Sequence, residues 1–199
     1  MDNTLNFPSN YYSPQELRNL LRLLASQNSM WTRSYIVSYV ADLDDIVVLE
    51  DRLNMNAIDF RNVFNVYYSK EISEEFEFLL REYIRDMIQY LSLLKRNYIR
   101  QSSPSQGLNT NLEEELANTK ENWNATGIEI AAFLSSINSN WPFEQMKTLI
   151  LDHIEMTTHQ MEQRLRKDYA YEVSQYDFIE YHSLLIADVI NNGIIEMFY

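Results

Sequence analysis

Apolar residues recur along this chain every three or four positions, the spacing that gathers them on one face of an α-helix. Leu17, Leu20, Leu21 and Leu24 begin the pattern just after Ser13-Pro14-Gln15-Glu16. That tetrad reads as a helix start, with a Ser N-cap, Pro at the first helical position and an acid in the first turn. It predicts a helix to about Ser26. A second is expected over 29–43, with Met30, Val37 and Val40 on one side and Asp42-Leu43-Asp44-Asp45 as its stop. Shorter helices are expected over 47–54 and 58–67. The clearest stripe follows: Ile72, Phe76, Leu79, Leu80, Tyr83, Met87, Tyr90, Leu91 and Leu94 mark one continuous face. Three more helices are expected over 112–138, 143–167 and 171–197. Trp141-Pro142 separates the first two, and Asn191-Asn192-Gly193 weakens or ends the last.

Two stretches lack the periodicity. The residues up to Ser13, with Pro8, read as an arm laid on the body. Residues 101–111, QSSPSQGLNTN, crowd Ser, Pro, Gly and Asn and read as a linker. The halves on either side of it, about 14–100 and 112–198, look weakly repeated. Trp31 matches Trp123, Glu71-Ile72-Ser73 matches Glu172-Val173-Ser174, and Asp86-Met87-Ile88 matches Asp188-Val189-Ile190. The expected fold is therefore all-α: one domain over 1–199, an antiparallel bundle of about seven helices, ferritin-like in style.

Composition narrows the function classes. Only 3 Gly and 4 Pro leave little turn chemistry for a β-rich fold. A net charge of −13 sets the chain against phosphate backbones and anionic lipid, so neither nucleic acid nor membrane is expected as a partner. The absence of cysteine removes disulfides, thiolate metal sites and cysteine nucleophiles, and fits a reducing cytoplasm. Met1-Asp2-Asn3-Thr4-Leu5 has neither the basic nor the apolar region of a signal peptide, and no apolar run is long enough to span a bilayer.

Several segments together resemble a known family: Trp31-Thr32-Arg33, Arg52-Leu53 with Asn56 and Asp59-Phe60, the block Glu129-Ile130-Ala131-Ala132-Phe133-Leu134-Ser135-Ser136-Ile137-Asn138, and Ala187-Asp188-Val189. Over roughly residues 15–198 the chain resembles uncharacterised all-helical proteins of spore-forming Firmicutes, with the Glu129–Asn138 block the most specific part. Members often carry the label acetylglutamate kinase. The residues argue against that chemistry. Gly107, Gly127 and Gly193 lie far apart and form no phosphate-cradling loop, and no strand–helix alternation is visible.

The sharpest candidate chemistry is a metal site in the bundle core, where Glu and His project inward from facing helices. His153 shares a face with Met146, Leu149, Ile150, Met156 and Thr157. Glu180 lies between Tyr176 and Leu184, Glu129 is one turn from Phe133, and Arg33 is in register with Met30, Ile36 and Val40. The resemblance implies His at the positions of Asn28 and Tyr83 in similar proteins, beside counterparts of Glu129, His153 and Glu180. That makes Glu129, His153, Glu180 and Tyr83 the candidate ligands for Fe, Mn or Zn, with Arg33, Asn28 and Asp188 as a polar core cluster. Asn is a poor ligand for most transition metals, which weakens the set in this chain. The competing reading is structural. There His153 is hydrogen-bonded to Glu129, Glu180 or a tyrosine, Arg33 is paired with an acid, Asp188 pairs with it or lies on the surface, and His182 faces outward. The 14 Tyr and 9 Phe suit a subunit interface as well as a core, and the apolar end Ile194-Ile195-Glu196-Met197-Phe198-Tyr199 should dock on the bundle or on a second copy. The sequence thus reads as a non-enzymatic structural or interaction protein, a homodimer. Bundle-core metal binding is the alternative, and small-molecule binding between helices a third reading.

Overall fold

The computed structural model describes residues 11–102 and 110–199, and all regular structure among them is helical. Six helices run in order: α1 (Pro14–Val40), α2 (Ile46–Phe64), α3 (Lys70–Gln101), α4 (Thr110–Ile137), α5 (Phe143–Leu165) and α6 (Tyr169–Phe198). The expected start of α1 is present as a capping box: Ser13 Oγ accepts from the Glu16 amide, and Glu16 reaches back to the Ser13 amide at 2.8 Å.

The eight helical stretches expected of a bundle of about seven helices become six, because the breaks expected near 27–28 and 55–57 do not occur. The polar run Gln27-Asn28-Ser29 lies inside α1. Its buried stripe continues from Leu24 and Ala25 through Ser29 and Thr32 to Tyr35 and Ile36. Ser29 Oγ lies 2.6 Å from Ser183 Oγ, and Asn28 Nδ2 donates to Asn56 Oδ1 at 3.0 Å. Polar groups satisfied across helices give the backbone no reason to turn. Asn56 does the same for α2, donating Nδ2–H to the Leu24 carbonyl at 3.1 Å. At the other end of the chain, α6 passes straight through Asn191-Asn192-Gly193. Gly193 sits under the fully buried Trp141 indole, and its carbonyl accepts from Asn138 Nδ2 at 2.8 Å. The expected opening arm and linker fall largely outside the described residues; α3 continues through Gln101 and α4 starts at Thr110.

Each helix packs on the next, and α6 returns to α1, so the six close into a ring. Every neighbouring pair is antiparallel. Arg18 meets Asp188 and Arg33 meets Glu172 between α1 and α6, while Asp86 meets Thr126 and Phe76 meets Phe133 between α3 and α4. This departs from a ferritin-like bundle, in which one long crossover joins helices that are not neighbours. Helix α5 leans inward and also touches α1 and α3. The C-terminal residues dock on the bundle: Phe198 and Tyr199 pack among Tyr11 and Tyr67, with the Tyr67 and Tyr199 hydroxyls 3.0 Å apart. Among the described residues no helix is long and apolar enough to cross a membrane.

Candidate functional site

On the axis of the ring lies a cavity of about 120 Å³ to which all six helices contribute. Its origin is legible in residue size. Ala25 of α1, Ala57 of α2 and Ser183 of α6 bring short side chains to its wall, with Met146, Ile150 and His153 of α5 also on the lining. Phe60, Phe76 and several Ile and Leu side chains complete an apolar wall. The polar groups are Asn28, Asn56, Tyr83, His153 and Ser183, and none of the lining residues is a carboxylate, lysine or arginine.

Three of these polar residues have hydrogen-bonding capacity to spare. Asn28 spends one amide hydrogen on Asn56, whose own amide is held by the Leu24 carbonyl. Tyr83 packs at an angle on Trp123, ring centroids 5.6 Å apart. Burial pushes its phenol well above the usual tyrosine range, and the Trp123 N–H directed at its oxygen opposes this only in part and leaves the phenol O–H free. His153 stacks on His182 with centroids 5.9 Å apart and planes 13° from parallel. Burial, reinforced by the neighbouring imidazole, pushes the His153 pKa down to about 4, so the ring is neutral at pH 7. Nδ1 of His153 and Nδ1 of His182 are both buried without a hydrogen-bond partner. Ser183, by contrast, is used up between Ser29 and the Ile179 carbonyl.

The expected site residues therefore divide. Asn28, Tyr83 and His153 come together on the cavity. Glu129 does not: it is exposed on α4, because Ile130, Ala131 and Leu134 take the inward positions of that turn. Glu180 accepts from Ser26 Oγ at 2.5 Å in the α1–α6 seam, away from the cavity lining. Among the described residues no group of three or more His, Asp or Glu is placed to hold a metal ion. The expected hydrogen bond from His153 to Glu129, Glu180 or a tyrosine is also not formed, and its ring stacks on His182 instead. His182, expected to face outward, is 8% exposed, since it shares the buried stripe of Ile179, Ser183 and Ile190.

The polar cluster of Arg33, Asn28 and Asp188 is likewise resolved into separate contacts. Arg33 donates Nε–H and Nη2–H to Glu172 at 2.8 and 3.1 Å, and the Glu172 carboxylate is 1% exposed. Gln160 donates to the same carboxylate at 3.2 Å, and Arg164 lies 3.8 Å away. Asp188 instead takes Arg18 and Arg22, at 3.1 and 2.6 Å. Burial opposes ionisation of Asp188, and the hydrogen bonds from the two arginines outweigh it and hold the carboxyl below its usual range. Asp188, Glu180 and Glu172 thus form a polar seam along α6 that fixes α1 in register, and they have no part in the axial cavity.

What the fold and site define is an up-and-down six-helix ring with a small, uncharged, mostly apolar cavity on its axis. Comparison with known proteins returns no matching family model, no matching curated protein and no matching solved structure.

Proposed function

We propose that this protein is a non-enzymatic binding protein that holds a small, uncharged and largely apolar molecule on the axis of its bundle. The observation that carries the reading is the cavity itself: about 120 Å³, bordered by all six helices and free of charged lining residues. Small-molecule sites take this form, apolar walls with a few placed polar groups. The size is right for one small ring, since an engineered apolar cavity of roughly 150 Å³ takes up benzene. Titration of the full chain with benzene, followed by thermal unfolding and ligand-observed NMR, tests it. Benzene should bind and raise the melting temperature, and Ala57→Leu, which fills the cavity from α2, should abolish both effects. Unchanged melting with benzene in the wild-type chain would count against the reading.

Bundle-core metal binding has less support, because two of its four ligand positions, Glu129 and Glu180, lie off the cavity. Stoichiometric Fe, Mn or Zn in protein purified without a histidine tag would displace the ligand reading. We also propose self-association into a homodimer. Tyr171, Phe178, Tyr181 and Leu185 are all exposed and fall on one stripe of α6, an arrangement that a second copy would cover. A cysteine-free, acidic chain of this kind fits the cytoplasm.

A further inference from the structure

The polar residues on the cavity say more about what fills it. A charged ligand is disfavoured from both sides. An anion would find no lysine or arginine in the lining, and a cation would find no carboxylate. His153 cannot stand in for the missing cation, because burial and the imidazole of His182 stacked on it hold its ring neutral at pH 7. Bringing an unpaired charge onto this axis would carry the full cost of desolvation. A wholly apolar ligand is accommodated by the walls but is matched less well, for the opposite reason. It would leave the spare capacity of Asn28, Tyr83 and His153 facing hydrocarbon, and buried polar groups are ordinarily paired.

The three spare groups also share a character. Neutral imidazole offers one donor and one acceptor, the Tyr83 phenol offers both, and Asn28 keeps its carbonyl oxygen and one N–H. A ligand group that can both donate and accept, such as a hydroxyl, suits all of them. Phe60 and Phe76 on the same cavity suit a flat apolar body.

We propose that the axial cavity is selective for a neutral, single-ring aromatic molecule bearing one hydroxyl, of the phenol class, with the ring on the Phe60–Phe76 side and the hydroxyl among Asn28, Tyr83 and His153. This rests on the axial-binding reading above. The test compares benzene, phenol and benzoate on the full chain at pH 7 by ligand-observed NMR and calorimetry, in the wild type and in Tyr83→Phe and His153→Phe. Tyr83→Phe removes a single oxygen and should leave the fold intact by circular dichroism. Phenol should bind at least 10-fold tighter than benzene, benzoate should not bind, and each substitution should cut the phenol-to-benzene ratio to below 3. Equal affinities for phenol and benzene in the wild type would overturn the selectivity and leave axial binding standing. Binding of benzoate as tight as phenol, or a ratio unchanged in both variants, would also overturn it. If neither benzene nor phenol binds, the axial-binding reading itself fails.

Discussion

His153 provides the most direct test of how dry the bundle axis is. Its imidazole is pushed from the usual 6.5 down to about 4 by burial, with the stacked His182 adding to the effect. In the unfolded chain the ring takes up a proton as the pH falls through 6.5. In the folded chain it does so only near 4. Between those values the unfolded state binds more protons, so stability must fall as the pH falls. At 1.36 kcal/mol per pH unit, the gap corresponds to about 3 kcal/mol by the time both states are protonated, and to between about 2 and 3 kcal/mol at pH 4.5. The perturbation is His153→Leu, which removes the titrating group and keeps an apolar side chain on α5. Urea unfolding of both proteins at pH 7.5, 6.5, 5.5 and 4.5 isolates the residue, because all other ionisable groups are common to the two. The wild type should lose about 2–3 kcal/mol relative to the variant between pH 7.5 and 4.5, nearly all of it below 6.5. If the two stability curves run parallel over that range, His153 is solvated in the native protein and the axis is not the apolar compartment described above.

Two further outcomes are expected. Gly193→Ala should destabilise the protein, although helix propensity alone would favour Ala by about 1 kcal/mol. A Cβ there would lie 2.5 and 2.8 Å from Cδ1 and Cε2 of Trp141 and closer still to Nε1, an overlap with a fully buried ring worth roughly 1–3 kcal/mol. Thermal unfolding gives the sign. Phe178→Glu on the exposed stripe of α6 should convert the proposed homodimer to monomer in light scattering at low micromolar concentration, and a wild-type chain that is already monomeric would remove the stripe as an interface.

The helical class was readable from the sequence because its signal is repeated along the whole chain. The stripe from Ile72 to Leu94, the Ser13 capping box and the break at Trp141-Pro142 all stand where periodicity and capping place them. The errors came where a polar or flexible residue lies inside a helix and its compensation lies on another helix. Nothing local to Asn28 says that Asn56 will hold it, and nothing local to Gly193 says that Trp141 needs the space. Candidate site residues followed the same rule. Periodicity put His153 on an inward face, and it could have done so for His182 and Asn56, which share buried stripes with Ile179 and Leu53. It misplaced Glu129, whose neighbours Ile130 and Ala131 compete for the same inward direction. The partner of Arg33 was also out of reach, because Glu172 comes to it across a ring that only the tertiary structure closes.

That ring also accounts for the cavity. Six helices packed on their neighbours at the usual 8–10 Å have a centre about 8–10 Å from every axis, which is room for a seventh helix. Helix α5 takes up much of it by leaning onto α1 and α3. Its counterpart in the first half, α2, makes no contact of similar extent with α4 or α6, so what is left over lies between α5 and the short side chains of Ala25 and Ala57. Elsewhere this core is filled by its largest residues, Trp123 and Trp141 among them, both with no exposed surface. Larger apolar residues at 25 or 57 would close the gap, and filling a cavity commonly gains about 0.5–2 kcal/mol. The Ala57→Leu variant therefore carries two expectations of opposite sign: higher stability in urea and no binding of benzene. Both together are the signature of a space kept open at the expense of stability. If Ala57→Leu is less stable and still binds benzene, the axial space is not where the ligand sits.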